Sequence, residues 1–325
     1  MTRARIPFRR LAQRAAALLI PLALAPAALA QGAPPDVVAT VKPLHSLVAG
    51  VMQGVGTPHL LVQGAANPHA FSLKPSDAKA LAGAELVVWV GPELETFLQK
   101  PLAAVAGKAR LLPLMTAPGV QAVETRAGGV WDQHDHGHGH GHGHSHGPDD
   151  HGGGGPDGHI WLDPRNAKAI TDAVAEALAA LDPARAATYR ANAEAQRARI
   201  DSLDAELAAT LAPVAKKPFI VFHDAYHYLE RRYGLSAAGA ITVSPERRPG
   251  AARLSALRER IRQAGAACVF AEPQFAPALV QTVAEGTNAR TGTLDPEGAN
   301  IPDGPELYFS LMRFNAKSLA DCLGG

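Results

Sequence analysis

Histidine is the residue type with the most evident chemistry in this chain, and its distribution is uneven. Eight of the 14 histidines lie in residues 131–151, where they are interleaved with glycine, aspartate and serine. Glycine at alternate positions maximises backbone entropy, and the stretch has no apolar face to bury. We therefore expect a flexible loop. Neutral imidazole nitrogen suits zinc, copper or nickel, so we predict that this loop contacts metal.

The stretch allows two other interpretations. It could be a solvated linker that has accumulated histidines, whereas an engineered purification tag is disfavoured because the run is internal and irregular. A disordered string of ligands makes a poor selective site, so a selective site must come from the folded parts. The loop is predicted to supply auxiliary, weakly binding side chains, namely His134, His136, His138, His140, His142, His144, His146 and His151.

Six histidines lie outside the loop, and three of them follow predicted strands. His69 lies in the loop after the second strand, His159 in the segment that returns from the His-rich loop, and His223 directly after the run FIVF. Open α/β sheets bind ligands at the carboxyl ends of their strands. One such histidine is more often structural, but three of them beside a His-rich loop favour metal binding. The sequence does not show whether His45 or His59 approaches the same site, and His227 belongs to a motif that also contains His223.

The segment from His223 to His227, HDAYH, resembles the HExxH motif of zinc proteases. Aspartate is shorter than the glutamate that acts as general base in that motif, and His223 lies at a strand-to-helix junction. A protease is therefore disfavoured, and we expect His227 to lie on a helix surface or to line a pocket.

The N-terminus predicts export. Five arginines precede an apolar run over residues 15–30, and Ala28-Leu29-Ala30 is a small-x-small cleavage signal. Residues 1–30 are thus predicted to be a signal peptide; Arg9-Arg10 hints at twin-arginine export, but the following residues match poorly and favour ordinary secretion. Cleavage changes the formal net charge from +1 to −4. No basic patch with interleaved aromatic residues remains, so we expect no nucleic-acid partner.

The chain has two cysteines, Cys268 and Cys322, which could form a disulfide or bind metal. An even pair in an oxidising compartment favours a disulfide. Thiolate ligation of zinc is the alternative, although it usually involves closely spaced pairs of cysteines.

The order of the predicted strands and helices that position these residues indicates an α/β protein with two lobes. Short apolar strands alternate with helices from residue 37, and the same alternation resumes at residue 219. Between them, a helix-forming stretch interrupted only by Asp182-Pro183 predicts one long helix or two in series. The predicted boundaries are an N-terminal lobe over 31–164, containing the disordered His-rich loop at about 129–156, a connecting helix over 165–212 and a C-terminal lobe over 213–325.

Four motifs, in order along the chain, carry a family resemblance. Together they resemble the periplasmic high-affinity zinc-binding receptors of bacterial ABC importers. The motifs are NPHAFSLKPSD (67–77), HIWLDP (159–164), FIVFHDAYHYLERRYGL (219–235), and CVFAEPQF (268–275) followed by GTLDPEG (292–298). The resemblance runs from about residue 37 to residue 325. It implies two (βα)4-type lobes joined by a long rigid helix, a zinc site in the cleft, and delivery of Zn²⁺ to a membrane permease driven by a cytoplasmic ATPase.

The resemblance also implies the ligands. By position, His69, His159 and His223 bind zinc, and Asp295 falls on a carboxylate that related receptors use as a fourth ligand. Some zinc receptors use an acidic residue directly before the first histidine, but this chain has Pro68 there, which leaves Asp295 or water for the fourth position. The family's zinc branch also carries a His/Asp-rich loop at this position and often a disulfide that matches Cys268–Cys322.

We thus expect a periplasmic, monomeric zinc receptor without catalytic residues, and a periplasmic zinc chaperone as a further partner at the His-rich loop. Two alternatives remain open at this point. A manganese or iron receptor of the same fold is one, although three imidazoles favour zinc and the manganese branch carries a carboxylate at the position of His223. A zinc hydrolase is the other, but neither Asp224 nor Glu272 is clearly placed as its general base. An adhesin role within the receptor family is a lesser possibility.

Overall fold

The computed structural model describes residues 1–2, 32–105, 108–126, 155–242 and 249–325. The chain divides into a short unit, Met1–Ala33, and one compact unit, Pro34–Gly325, which carries everything described below. The predicted signal peptide, apart from its first two residues, lies outside the described residues, as does the predicted His-rich loop up to residue 154, which contains all eight of its histidines. No helix in the described ranges is long and apolar enough to cross a membrane.

The first half of the compact unit is built on a parallel four-stranded sheet. Its strands are β1 (Val37–Ala39), β2 (His59–Leu60), β3 (Leu86–Trp89) and β4 (Arg110–Pro113), in the order β2-β1-β3-β4. All residues of β1 and β3 are buried, as expected for parallel strands that are covered on both faces. The helices of this half are α1 (Lys42–Val51), α2 (Pro75–Gly83) and α3 (Gln99–Val105).

The stretch between the sheets is a helical hairpin. Helix α4 (Pro164–Leu181) begins after Asp163, whose side chain caps it by accepting from the Arg165 amide. A turn at Pro183–Arg185 follows, and α5 (Ala186–Leu211) runs back along α4, so that Gln196 donates to Thr171. The predicted long connecting helix is confirmed as α5, and the predicted interruption at Asp182-Pro183 is present. The range 165–212 also contains α4, because the chain reverses at the proline instead of continuing in series. Only α5 leads on to the second sheet.

The second half repeats the topology of the first. Strands β5 (Pro218–His223), β6 (Ser236–Thr242), β7 (Cys268–Ala271) and β8 (Arg290–Thr293) form a parallel sheet in the order β6-β5-β7-β8. Its helices are α6 (His227–Tyr233), α7 (Ala251–Ala264), α8 (Ala278–Ala284) and α9 (Leu307–Gly324). Two lobes, each with a four-stranded parallel sheet, confirm the predicted α/β fold.

Several local predictions can be compared with the structure. The sequence predicts an amphipathic helix over 251–264 with Gly265 just past its end; α7 has these limits, and Gly265 has a φ of 61°, in the left-handed region that glycine adopts without strain. The sequence also indicates Ser76 as a candidate cap for the helix that follows it, but α2 begins at Pro75 after Lys74. Strand β6 and helix α3 were not predicted. The sequence of β6, SAAGAIT, consists mainly of small residues, which give a weak strand signal.

One hydrophobic cluster spans the two halves, and each half has a smaller cluster of its own. The spanning cluster contains residues of both sheets and of the hairpin, among them Trp161, which donates to the carbonyl of Pro296 at 2.8 Å. Tyr308 of α9 donates in turn to the Trp161 carbonyl. The predicted disulfide is confirmed: Cys268 at the start of β7 is bonded to Cys322 of α9, with Cα atoms 6.2 Å apart.

Candidate metal centre

Three histidines converge from three separate parts of the chain. His69 lies in a 3-10 turn, Pro68–Ala70, that follows β2, and its amide is held by the Asn67 side chain at 3.0 Å. His159 directly precedes the turn Ile160–Leu162 that leads into α4. His223 is the last residue of β5. The carboxyl ends of strands thus supply two of the three positions, as parallel sheets generally do.

The geometry of these side chains is that of a metal site. Each offers one ligand nitrogen, and these nitrogens all lie within 4.8 Å of one another. The Nε2 atoms of His159 and His223 are 3.3 Å apart, and the three ring centroids are separated by 5.2 to 5.7 Å. His159 and His223 are buried, and the buried Nε2 of His69 has no hydrogen-bond partner within the described part of the chain. A set of three imidazoles is typical of zinc sites that keep a further coordination position.

A carboxylate lies behind two of the histidines. Asp157 Oδ1 is 2.7 Å from His159 Nδ1, and both carboxylate oxygens of Glu272 lie within 2.8 Å of His223 Nδ1. A proton on each Nδ1 satisfies these contacts and leaves Nε2 as the free lone pair that faces the centre. These carboxylates therefore orient the rings and select the tautomer that a metal requires.

Burial and charge affect the histidines differently. Burial lowers the pKa of His69 well below its ordinary value, and the neighbouring His159 and His223 lower it further. Burial also lowers the pKa of His223, but the Glu272 carboxylate outweighs this effect, so that the net pKa is raised. His69 is thus neutral and ready to bind metal at neutral pH, whereas a proton competes more strongly at His223.

The structure does not bring Asp295 into the group of three histidines. Its Oδ1 accepts from the amides of Glu297 and Gly298 at 3.0 and 2.8 Å and from the Gln274 side chain, and its Oδ2 accepts from the amide of Ala299 at 2.7 Å. These bonds make Asp295 the organising residue of the turn after β8. Its role as a fourth ligand stays a prediction.

Sequence reasoning missed a second carboxylate in the same motif. Glu297 lines the pocket of the three histidines together with Gln274, and it is only 6% exposed. Burial raises its pKa well above the ordinary value, and the charges of Asp295, Glu95 and Glu272 add to the effect. The motif TLDPEG contains both acids, but nothing in its pattern indicates which one faces the pocket.

The other three histidines in the described part of the chain lie outside the group of three. His45 is buried in α1, and its Nε2 contacts the carbonyl of Pro58 at 3.1 Å; burial is the main cause of its lowered pKa. His59 is exposed in β2. His227 begins α6 while His223 ends β5, so the HDAYH segment does not present both histidines on one helix face. The motif of a zinc protease is therefore absent from this segment.

The ends of the His-rich segment are anchored close to the centre. Thr125 donates to the carbonyl of Gly155, and Asp157 donates to the carbonyl of Val123, which holds the two ends side by side. Arg126, at the last described position before the segment, is paired with Asp224 and Glu230. Because Asp157 contacts His159 and Asp224 follows His223, both ends of the segment are tied to residues next to the metal centre.

Comparison with known proteins identifies the family of this chain. Residues 37–322 match the family described as the periplasmic component A of the zinc-uptake complex, ZnuA. The chain is 50% identical over 304 residues to the high-affinity zinc uptake system protein ZnuA of Brucella abortus (strain 2308), covering 88% of this chain and 91% of that protein. It is 39% identical over 322 residues to the protein of the same name from Paracoccus denitrificans, covering 96% and 99%.

A solved structure supports the same assignment. The crystal structure of a ZnuA protein matches this fold with a TM-score of 0.73 and 25% sequence identity, covering 89% of this chain and 99% of the other. The similarity therefore extends over both lobes, and the matched range contains all three histidines of the centre.

Proposed function

We propose, because the chain belongs to the ZnuA family of periplasmic zinc-uptake components, that it is the receptor that binds Zn²⁺ in the periplasm and delivers it to an ABC-type importer. The proposed ligands are His69, His159 and His223. The proposed role is binding and delivery, without catalysis.

The observation that carries this proposal is the separation of 3.3 Å between the Nε2 atoms of His159 and His223. Zinc–imidazole bonds of about 2.0–2.1 Å at tetrahedral angles place two ligand nitrogens about 3.3 Å apart. The two rings are therefore already spaced as a zinc ion requires, and both are held there by carboxylates. A manganese site would require more oxygen ligands than this nitrogen-rich centre offers.

The family supports the wider setting of the proposal. As partners we propose a membrane permease with its cytoplasmic ATPase and, at the His-rich loop, a periplasmic zinc chaperone. We propose that the receptor is monomeric and reaches the periplasm by means of the signal peptide over residues 1–30. Its lobes would be residues 31–164 and 213–325, with the helical hairpin between them.

We propose an auxiliary role for the histidines of residues 131–151. Imidazoles that alternate with glycine are expected to bind metal weakly and without strong selectivity, because binding must overcome the conformational entropy of a glycine-rich chain. The segment would concentrate zinc beside the cleft, where Asp157 and Arg126 anchor its ends.

A titration of single histidine variants tests the proposed site. Zinc affinity is measured by chelator competition for the mature chain and for His69→Ala, His159→Ala and His223→Ala. Each variant is expected to lose at least about 100-fold in affinity, more than the 10–100-fold typical of residues that only support a ligand. His59→Ala is the matched control, since this histidine is exposed, and should bind as the parent does. Wild-type affinity in the three variants would contradict the proposal.

A further inference from the structure

We propose that Glu297 supplies the fourth, carboxylate ligand of the zinc centre and that Asp295 instead holds the turn from which Glu297 reaches the metal. This inference rests on the proposed function, because it assumes that His69, His159 and His223 bind zinc. It assigns a binding role to a residue that neither the motif nor the resemblance singles out.

The first support is the set of unpartnered polar atoms around the pocket. Within the described ranges, six buried side-chain nitrogen or oxygen atoms have no hydrogen-bond partner, and three of them belong to residues that line this pocket. They are Nε2 of His69, Oε1 of Gln274 and Oε1 of Glu297. A buried polar atom without a partner is costly. All three atoms can donate an electron pair, so a cation placed among them would provide the partner that each of these buried atoms lacks in the described part of the chain.

The second support is that the other carboxylates near the pocket already have hydrogen-bond partners. Asp157 and Glu272 each contact the Nδ1 atom of a histidine, and both oxygens of Asp295 accept amide hydrogen bonds. The backbone of Asp295 is fixed as well, because its N–H and C=O both bond to the Asn315 side chain at 2.8 and 2.7 Å. Oδ1 of Asp295 already accepts three hydrogen bonds and Oδ2 accepts one, so this carboxylate is engaged in organising its own turn. Oε1 of Glu297, by contrast, is buried and has no hydrogen-bond partner within the described part of the chain.

The third support is charge. Three neutral imidazoles carry no charge to offset a divalent ion in a buried site, and burying an uncompensated charge is unfavourable. The charged groups around Glu297 are Asp295, Glu95 and Glu272 on the acidic side and Lys42 on the basic side. Lys42 is engaged with Asp303 and with the carbonyl of Ile301. The surroundings of Glu297 therefore favour a cation.

Gln274 is the other pocket residue with an unpartnered oxygen, but it is the weaker candidate. Its amide nitrogen donates to Asp295, and its carbonyl oxygen carries no net charge. Zinc sites in proteins are built from cysteine, histidine and carboxylate side chains. Gln274 is better placed to link Asp295 to the pocket wall.

Ligation requires a movement of one side chain. Glu297 is not among the side chains whose ligand atoms lie within 4.8 Å of one another, so its carboxylate must turn toward the three nitrogens. The following residue, Gly298, has a φ of 78°, which a residue with a side chain rarely adopts. The turn is thus built around a fixed backbone, anchored by Asp295, that leaves the Glu297 side chain as the adjustable part.

The test combines a zinc-loaded crystal structure of the full mature chain with chelator-competition titrations of Glu297→Gln and Asp295→Asn. We expect a Glu297 oxygen about 2.0–2.2 Å from zinc, with the Asp295 oxygens still on their amides. Glu297→Gln should weaken zinc binding by at least about 100-fold, as expected of a ligand rather than of a residue that only supports one, and Glu194→Gln, at an exposed position, should leave it unchanged.

Two results would overturn the inference. One is an Asp295 oxygen or a water in the fourth position while Glu297 stays away from the metal. The other is a Glu297→Gln variant that binds zinc as tightly as the parent chain. Either result would leave the three-histidine site intact. Failure of the parent chain to bind zinc at these histidines would instead refute the proposed function itself.

Discussion

Glu272 accepts a hydrogen bond from His223 Nδ1 with both carboxylate oxygens in range, at 2.8 and 2.7 Å. The two residues are neighbours because β5 and β7 are adjacent parallel strands. His223 is the last residue of β5, and Glu272 directly follows β7. The point between these strands is where the strand order reverses, which is the usual ligand site of an open α/β sheet. Asp157 holds His159 in the same way.

The supporting carboxylates should therefore affect zinc affinity without binding zinc. Glu272→Gln keeps the shape of the side chain but removes the charge that orients His223 and raises its basicity. We expect a loss of about 10- to 100-fold in zinc affinity, measured by chelator competition. The exposed Glu194→Gln serves again as the matched control. Unchanged affinity in Glu272→Gln would mean that packing alone orients the ring.

Zinc affinity should fall as the pH is lowered. The metal binds neutral imidazole, and Glu272 raises the pKa of His223, so protons compete with zinc at this residue first. His69 contributes little to this competition, because burial lowers its pKa well below the ordinary range. Between about pH 7.5 and pH 5 we expect at least about a tenfold loss of affinity, since each unit below the pKa of one ligand costs a factor of ten. An affinity that is constant over this range would contradict a site made of histidines.

Glu95 should make the stability of the fold depend on pH. Burial raises its pKa to about 7, although hydrogen bonds from Thr40, Gly91 and Val90 act in the opposite direction. The folded state then holds a proton that the unfolded state has released, so the contribution of Glu95 is fully present below about pH 4.5 and is lost as the pH rises to about 7.

The measurement is urea unfolding of the parent chain and of Glu95→Gln at several pH values. The free energy of unfolding of the parent should decline relative to the variant by on the order of 3 kcal/mol across this window. Any constant cost of the glutamine cancels, because only the slope with pH is compared. Parallel curves for the two proteins would refute a raised pKa at Glu95.

The disulfide should stabilise the fold without contributing to zinc binding. Cys268 lies at the start of β7, whereas Glu272 and the metal centre lie beyond its other end. Replacing both cysteines by serine should lower the free energy of unfolding by about 4 kcal/mol, because the bond closes a loop with a sequence separation of 54. Zinc affinity under native conditions should not change. A loss of affinity comparable to that of a histidine variant would show that the bond positions the centre.

The features that could be predicted from sequence are those encoded locally. The apolar runs of β3, β5 and β7 and the amphipathic α7 with Gly265 at its end carry their structure in their own residues. Strand β6 does not, because its small residues become a strand only when β5 supplies a partner. The reversal between α4 and α5 also depends on packing, since a proline can either kink a helix or end it.

The residues of the candidate site also fall into two groups, those that can be predicted from sequence and those whose role depends on tertiary contacts. His69, His159 and His223 could be predicted because three histidines follow predicted strands in a chain that also has a His-rich segment, and because the four motifs of the family contain them. The orienting role of Asp157 and Glu272 depends on which ring they contact, which only the tertiary structure shows. Asp295 and Glu297 lie two residues apart in one motif, and the amide bonds that occupy Asp295 cannot be read from it.

The most direct test of the central claim is a chelator-competition titration of the mature chain, with and without residues 131–151, against Zn²⁺ and Mn²⁺. We expect one tight zinc site in both proteins, additional weak zinc binding only when the segment is present, and no effective competition by Mn²⁺. Loss of the tight site on deletion of the segment would contradict the account, since it would show that His69, His159 and His223 do not form the selective zinc site.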